Sequence, residues 1–341
     1  MLKILLLFHI LIFLIALYKF ASIKKLKRNY KEKQPFVSIL IPARNEEKNL
    51  PILLNSLLKV KYENVEILIY DDLSEDRTYE IAKSFENEKI KVIKGKEKPF
   101  HWIGKNFALY NLVKFSKGEI LIFLDADVEI IDEEFILKVV DNINENNVIT
   151  GFGKFEGGGK AILSIITFLF SQIPINLGLN GQFWAIKREN YLKYEPHLKF
   201  KNEVLEDVKI GIYLLFKGLK VEFFDLKDVF KVKMYDNFYE MIEGLTKNAY
   251  SMFGKKFTPI MVISFYFAFL IPFILFPIYP FYLICLIILL NKLICDIKYG
   301  FSIKYTFLTP ISFFIFGLIM LRSWYFSLKG KLYWKGRNLK L

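Results

Sequence analysis

Residues 259–291 carry no charged side chain. A run that long and that apolar reads as membrane-crossing. Pro272, Pro277 and Pro280 interrupt it, so it fits a tight hairpin of two short spans better than one upright helix. A further uncharged run covers 305–321. At the other end, ILLLFHILIFLIALY (4–18) lies between Lys3 and Lys19, and Ala21 and Ile23 extend it toward the roughly 20 apolar residues of a crossing. The basic run KKLKRNYKEK (24–33) follows it. A secretory signal carries its charges before the apolar core and a small-residue cleavage site after it. The reverse flank here predicts an anchor over residues 1–23 with its basic side in the cytoplasm. From Arg322 onward the chain holds six basic residues and no acidic ones. Four full spans would put that tail outside, against the basic-residue bias, so one segment is expected to be re-entrant or interfacial.

The chain has 341 residues, which suggests about two domains, and a net charge of +13. Basic residues flanking apolar spans account for much of that charge as attraction to a membrane surface. No finger, zipper or RNA-binding motif is present, so nucleic acid is not an expected partner. Two cysteines and three scattered histidines suggest no disulfide framework and no histidine-based zinc site.

Between the apolar ends lies a soluble domain, residues 35–256. C-terminal membrane helices over 257–325 and a basic tail over 326–341 follow it. FVSILIP (36–42), VEILIYDD (65–72), KIKVIK (89–94) and EILIFLDAD (119–127) read as strands. Helical patterns at 46–60, 74–85 and 104–116 separate them. This alternation predicts an α/β domain whose parallel sheet is covered on both faces. The apolar stretch 160–175 sits oddly in a polar domain. An interfacial helix guiding a lipid, a buried core helix and a span are all open readings of it.

Ligands of open α/β sheets bind beyond the carboxyl ends of the strands. Asp71 and Asp72 end one strand; Asp125 and Asp127 end another. Carboxylates gathered on one rim repel, and a bound cation relieves this. Oxygen ligands suit Mg²⁺ or Mn²⁺. The bland alternative is a solvated strand end, or Asp127 capping the helix that passes through Phe135. EVLEDVKIGIYLLFKG (203–218) reads as a helix whose first turn holds Glu206 and Asp207. Favourable charge at a helix N-terminus is the bland account of that pair.

ILIPARNEE, YDDLSEDRT, DAD and LEDVKIG, in this order, resemble the motifs of family 2 inverting glycosyltransferases with the GT-A fold. HWIGKNFAL (101–109), NGQFWAIKRENY (180–191) and YWKGRNL (333–339) are similar to the membrane-bound branch that glycosylates carotenoids and other isoprenoid lipids. The resemblance implies an integral membrane enzyme with a cytoplasmic catalytic domain. It would move a sugar from a nucleotide-sugar donor, a UDP-sugar by resemblance, to a membrane lipid with a divalent metal, Mn or Mg. It implies Pro42, Asn45 and Asp72 around the nucleotide, Lys105 beside the donor, Asp125 at the ribose, and Asp125 with Asp127 at the diphosphate-bound metal. Asp207 matches the general base and Glu206 its acidic neighbour. Gln182 and Trp184 become candidates for the acceptor side, although Trp184 also reads as a packing residue. Lys247 and Asn248 in GLTKN are further candidate contacts. Arg337 would meet donor phosphate if the tail folds back, or lie on anionic lipid if it does not. The region 242–256 lacks the Q-x-x-R-W motif of processive polysaccharide synthases. A polyprenyl-phosphate glycosyltransferase, a cell-envelope polysaccharide or glycolipid transferase, and a non-catalytic membrane scaffold are the rival readings.

Overall fold

The computed structural model describes residues 2–30, 34–173, 178–335 and 337–338. The chain divides into two units by contact: Lys24–Lys154 with Asn176–Lys233, and Met1–Ile23 with Phe155–Ile175 and Met234–Leu341.

The first unit is built on an eight-stranded sheet. Its order is Lys24–Lys25, Lys220–Asp225, Asn147–Phe152, Phe183–Lys187, Ile120–Leu124, Val37–Ala43, Val65–Asp71 and Ile90–Lys94. Phe183–Lys187 runs antiparallel to both its neighbours, and the other pairings are parallel. Every residue of Val65–Asp71 and of Ile120–Leu124 is buried, so both sheet faces are covered, as continuous apolar strands require. On one face Leu40, Leu68, Phe123 and Trp184 pack with Leu109 and Leu112 of helix Gly104–Phe115 and with Ile210 and Leu214 of helix Glu206–Phe216.

The strand order places a ligand crevice. The chain leaves Val37–Ala43 for Val65–Asp71 and Ile90–Lys94 on one side, then returns to Ile120–Leu124 on the other. That reversal is a topological switch point, and it lies between the strand ends that carry Arg44–Asn45 and Asp125–Asp127. Asp127 does not cap a helix. It leads into strand Val128–Ile130, which pairs antiparallel with Phe230–Val232, and its carbonyl accepts the Lys233 N–H at 3.0 Å. The next helix starts at Phe135 with no side-chain cap.

In the second unit, three helices are long and apolar enough to cross a membrane among the described residues: Leu2–Ser22, Gly254–Ile274 and Thr309–Leu328. Gly254, at φ +72°, breaks the helical path begun at Phe238. Tyr266–Leu270 is a π-helical turn, and the His9 Nε2–H donates to the Ala268 carbonyl there at 3.0 Å. Gly317 admits the Tyr266 ring so closely that a Cβ would meet its Cζ at 2.3 Å.

The remaining long helix, Phe281–Lys298, buries Asn291, Lys292 and Asp296. Lys292 pairs with Asp296 and donates to Ser164 Oγ at 2.9 Å, and Thr306 donates to Asp296 Oδ2 at 2.8 Å. Each charge thus has its partners, without which burial would be costly. Ser164 belongs to helix Lys160–Ser171, which at 12 residues is too short to span. That helix packs Phe168 against Phe269 and Phe313, and Lys19 caps its end on the Phe170 carbonyl at 2.9 Å. Of the three readings of 160–175, the span is excluded, and residues 174–175 lie outside the described residues. Lys247 lies on helix Phe238–Phe265, and Arg337 in a short strand pair with Tyr333–Trp334. Gly336 and residues 339–341 of the tail lie outside the described residues.

Candidate active site

Lys105 is the centre of the crevice. It stands in the first turn of helix Gly104–Phe115, and its Nζ lies 2.7 Å from Asp125 Oδ1 and 3.6 Å from Glu206 Oε1. Asp207 completes the group. Its Oδ2 accepts the Gly181 N–H at 2.7 Å, and its Oδ1 accepts the Val208 N–H at 2.9 Å. A Cβ at Gly181 would sit 3.0 Å from Asp207 Oδ2 and 3.2 Å from Lys105 Nζ, so a side chain there would press on both. Burial opposes the charge on Lys105, but the carboxylates of Asp125, Glu206 and Asp207 outweigh it and hold the ammonium above the usual lysine range. Burial pushes Glu206 and Asp207 above the usual carboxylate range, with Lys105 pulling the other way. One cation among three carboxylates leaves a negative excess that a further cation would relieve.

The register of the sheet brings these groups together. Phe183 pairs with Leu124, and the Asp125 N–H donates to the Gln182 carbonyl at 3.2 Å, so the Asn180–Gln182 turn lies beside the acidic strand end. The Gln182 side chain accepts from Asn180 Nδ2 at 3.0 Å. Helix Glu206–Phe216 reaches the same turn because Gly211 passes against Gly178. A Cβ on Gly211 would meet the Gly178 carbonyl carbon at 2.4 Å and the Leu179 nitrogen at 2.5 Å. These are backbone atoms with no freedom to yield. Gly211→Ala is therefore expected to cost about 1–3 kcal/mol of stability, as overpacking does. Thermal unfolding of the detergent-purified protein checks this.

Across the switch point, the loops after Val37–Ala43 and Val65–Asp71 are laced together. The Asp72 N–H donates to the Ala43 carbonyl at 2.7 Å, the Glu75 N–H to Asn45 Oδ1 at 2.9 Å, and the Asn45 N–H to Ser74 Oγ at 3.1 Å. Asn45 at φ +52° and Leu73 at φ +53° hold left-handed conformations that few residues adopt without support. Arg44 supplies it: one guanidinium nitrogen donates to the Asp72 carbonyl at 2.9 Å and to that of Leu73, and the other meets Glu75 at 2.7 Å. Arg44 was not among the sequence candidates, and nothing local in PARNEE distinguishes it from a solvated charge. Pro42 lies one step back in the strand, opposite Tyr70.

Pro42, Asn45, Asp72, Lys105, Asp125, Asp127, Gln182, Glu206 and Asp207 thus all belong to the unit holding the sheet. Trp184 is placed differently. It is 2% exposed, its ring stacks on Phe123 at 3.9 Å, and it lies in the core rather than on the crevice. Lys247 and Arg337 belong to the other unit.

Residues 38–195 match the model of glycosyl transferase family 2. Over these residues the chain is similar to family 2 glycosyltransferases. Over 238 residues it is 29% identical to a 4,4'-diaponeurosporenoate glycosyltransferase of Staphylococcus haemolyticus (strain JCSC1435), covering 65% of this chain and 63% of that one. It is 24% identical over 228 residues to the enzyme of the same description from Staphylococcus aureus (strain USA300), covering 62% and 60%. The chain spans about three-fifths of the length of these curated relatives. Among solved structures, a mannosyltransferase from Pyrobaculum calidifontis, in complex with GDP-Man and Mn²⁺, superposes with a TM-score of 0.57 at 14% identity, covering 95% of this chain and 99% of that one. That likeness shows the GT-A fold.

Proposed function

We propose that this chain is an inverting glycosyltransferase that moves a sugar from a UDP-sugar to a membrane lipid, a carotenoid or other isoprenoid. The observation that carries the reading is the meeting of Lys105, Asp125, Glu206 and Asp207 at the switch point of a domain similar to family 2 glycosyltransferases. The names of the staphylococcal relatives support the isoprenoid acceptor.

In this reading Asp207 takes the proton of the acceptor hydroxyl as that oxygen attacks the anomeric carbon and the bond to the diphosphate breaks. One displacement inverts the centre and needs no covalent intermediate. The Gly181 and Val208 N–H groups fix the carboxylate for this task. Lys105 offsets negative charge on the departing diphosphate, and Glu206 shapes the pocket beside it. Arg44 and Asn45 hold the loop of Asp72 against the nucleotide.

The donor set fits a divalent ion of the magnesium kind. Among the described residues no group of three or more His, Cys, Asp or Glu side chains forms a cage. Mg²⁺-type sites take one or two carboxylates and complete the shell from phosphate and water. Asp127 and Asp125 supply such oxygens. The bound ion would stabilise the leaving nucleoside diphosphate.

Three crossings return the basic tail to the side of the basic run 24–33, as the basic-residue bias favours. The glycosyltransferase domain then stands on the cytoplasmic face.

The test uses membranes containing the expressed protein, labelled UDP- and GDP-sugars, Mn²⁺, Mg²⁺ or chelator, and an isoprenoid-rich lipid extract. Metal-dependent label in the organic phase is expected. Label solely in insoluble polymer would favour a polysaccharide synthase. No label with donor binding intact would favour a scaffold.

A further inference from the structure

Next to Lys105 stands Asn106, a residue with no exposed surface. Its side-chain amide nitrogen faces three main-chain carbonyls: Glu203 at 2.9 Å, Phe200 at 3.0 Å and Lys201 at 3.4 Å. The Ile103 N–H, one turn before it, also donates to the Lys201 carbonyl at 2.7 Å. The clasped segment 200–203 runs directly into helix Glu206–Phe216, and that helix has no side-chain cap of its own. Its first turn carries Glu206 and Asp207.

We propose that Asn106 is a positioning residue: it sets the helix that bears Asp207 against the helix that bears Lys105. This rests on the glycosyltransferase reading above. Two consecutive residues then join the two sides of the site. Lys105 reaches the strand end at Asp125, and Asn106 holds the approach to the helix on the other side. Helix Gly104–Phe115 is itself anchored through buried Ala108, Leu109, Leu112 and Val113, so it can serve as the fixed element. A buried amide that donates only to carbonyls cannot be replaced by a carboxylate. Asn106→Asp keeps the shape and turns attraction into repulsion. Asn106→Ser keeps one donor and shortens the reach.

Both variants are compared with wild type in membranes, with labelled UDP-glucose and GDP-mannose as donors and a lipid extract as acceptor. Binding of UDP with Mn²⁺ is measured on the purified proteins. The expected result is a kcat lower by roughly 10- to 100-fold, the scale of a misplaced reacting group. Donor KM and UDP binding should stay near wild type, because the groups that meet the donor remain. Asn106→Ser should retain more activity than Asn106→Asp. Wild-type kcat in either folded variant would overturn the inference. So would equal losses of kcat and UDP binding, or failure of the serine variant to fold, since each assigns Asn106 to stability alone. Absence of transfer by the wild type itself would overturn the underlying reading, and the inference with it.

Discussion

Asp207→Asn is expected to lower the transfer rate by roughly 10²- to 10⁴-fold, the usual contribution of a general base. The change removes the proton acceptor, one negative charge beside Lys105 and one of the two oxygens that receive main-chain N–H groups. An asparagine amide oxygen can still receive the Gly181 N–H that Asp207 Oδ2 receives at 2.7 Å, so the turn beside Lys105 keeps its place. Donor affinity should therefore persist, and the loss should appear in kcat. A variant with full kcat and weakened donor binding would move Asp207 from the acceptor side to the donor side. The pH profile carries a second signature. Burial raises the Asp207 carboxyl above the ordinary aspartate range. A base with a raised pKa is protonated, and so lost, at a higher pH on acidification. The acid limb of kcat/KM should accordingly lie above the range of an exposed aspartate.

Asp127→Ala is expected to abolish both transfer and its dependence on Mn²⁺ or Mg²⁺. Asp125 is paired with Lys105 at 2.7 Å, so Asp127 is the carboxylate of the D-x-D pair whose loss leaves the ion without its principal protein oxygen. The substitution should spare the fold, because the main chain of Asp127 makes the contact to Lys233 that continues the strand pairing. Activity is measured against metal concentration, with the unfolding temperature as the control. Full activity at the metal concentration that just saturates the wild type would remove Asp127 from the site. Activity restored by excess metal would keep it there as one ligand among several.

Much of this protein was legible before its structure. Uncharged runs at both ends admit few environments, and strands such as ILIFL are too apolar for an open sheet face. Those patterns are local: a period, a length, a charge-free stretch. They gave an α/β domain between membrane segments and the order of the acidic motifs. The number of crossing helices did not follow from them. Helix Phe281–Lys298 is apolar in its first half, and Asn291 and Lys292 of its polar second half find partners in Gln172 and Ser164, far away in the chain. Among the described residues three candidate crossings are found where the uncharged runs suggested four segments, one of them re-entrant or interfacial.

The site divides in the same way. Sequence alone named Asp125, Asp127, Glu206, Asp207 and Lys105 as groups of the right chemistry. It offered Trp184 both as an acceptor-side candidate and as a packing residue, and its burial and its stack on Phe123 place it in packing. Only the strand order made neighbours of residues 105, 125, 181 and 207, because an ion pair between distant segments depends on which strands adjoin, and no local pattern encodes that. Arg44, Gly211 and Asn106 escaped notice for the same reason. Their work is done on main-chain atoms of other segments, and a main-chain carbonyl looks alike at every position of a sequence. The residue types and their order were fixed by the chain's own chemistry. Their convergence on one crevice was decided by tertiary packing.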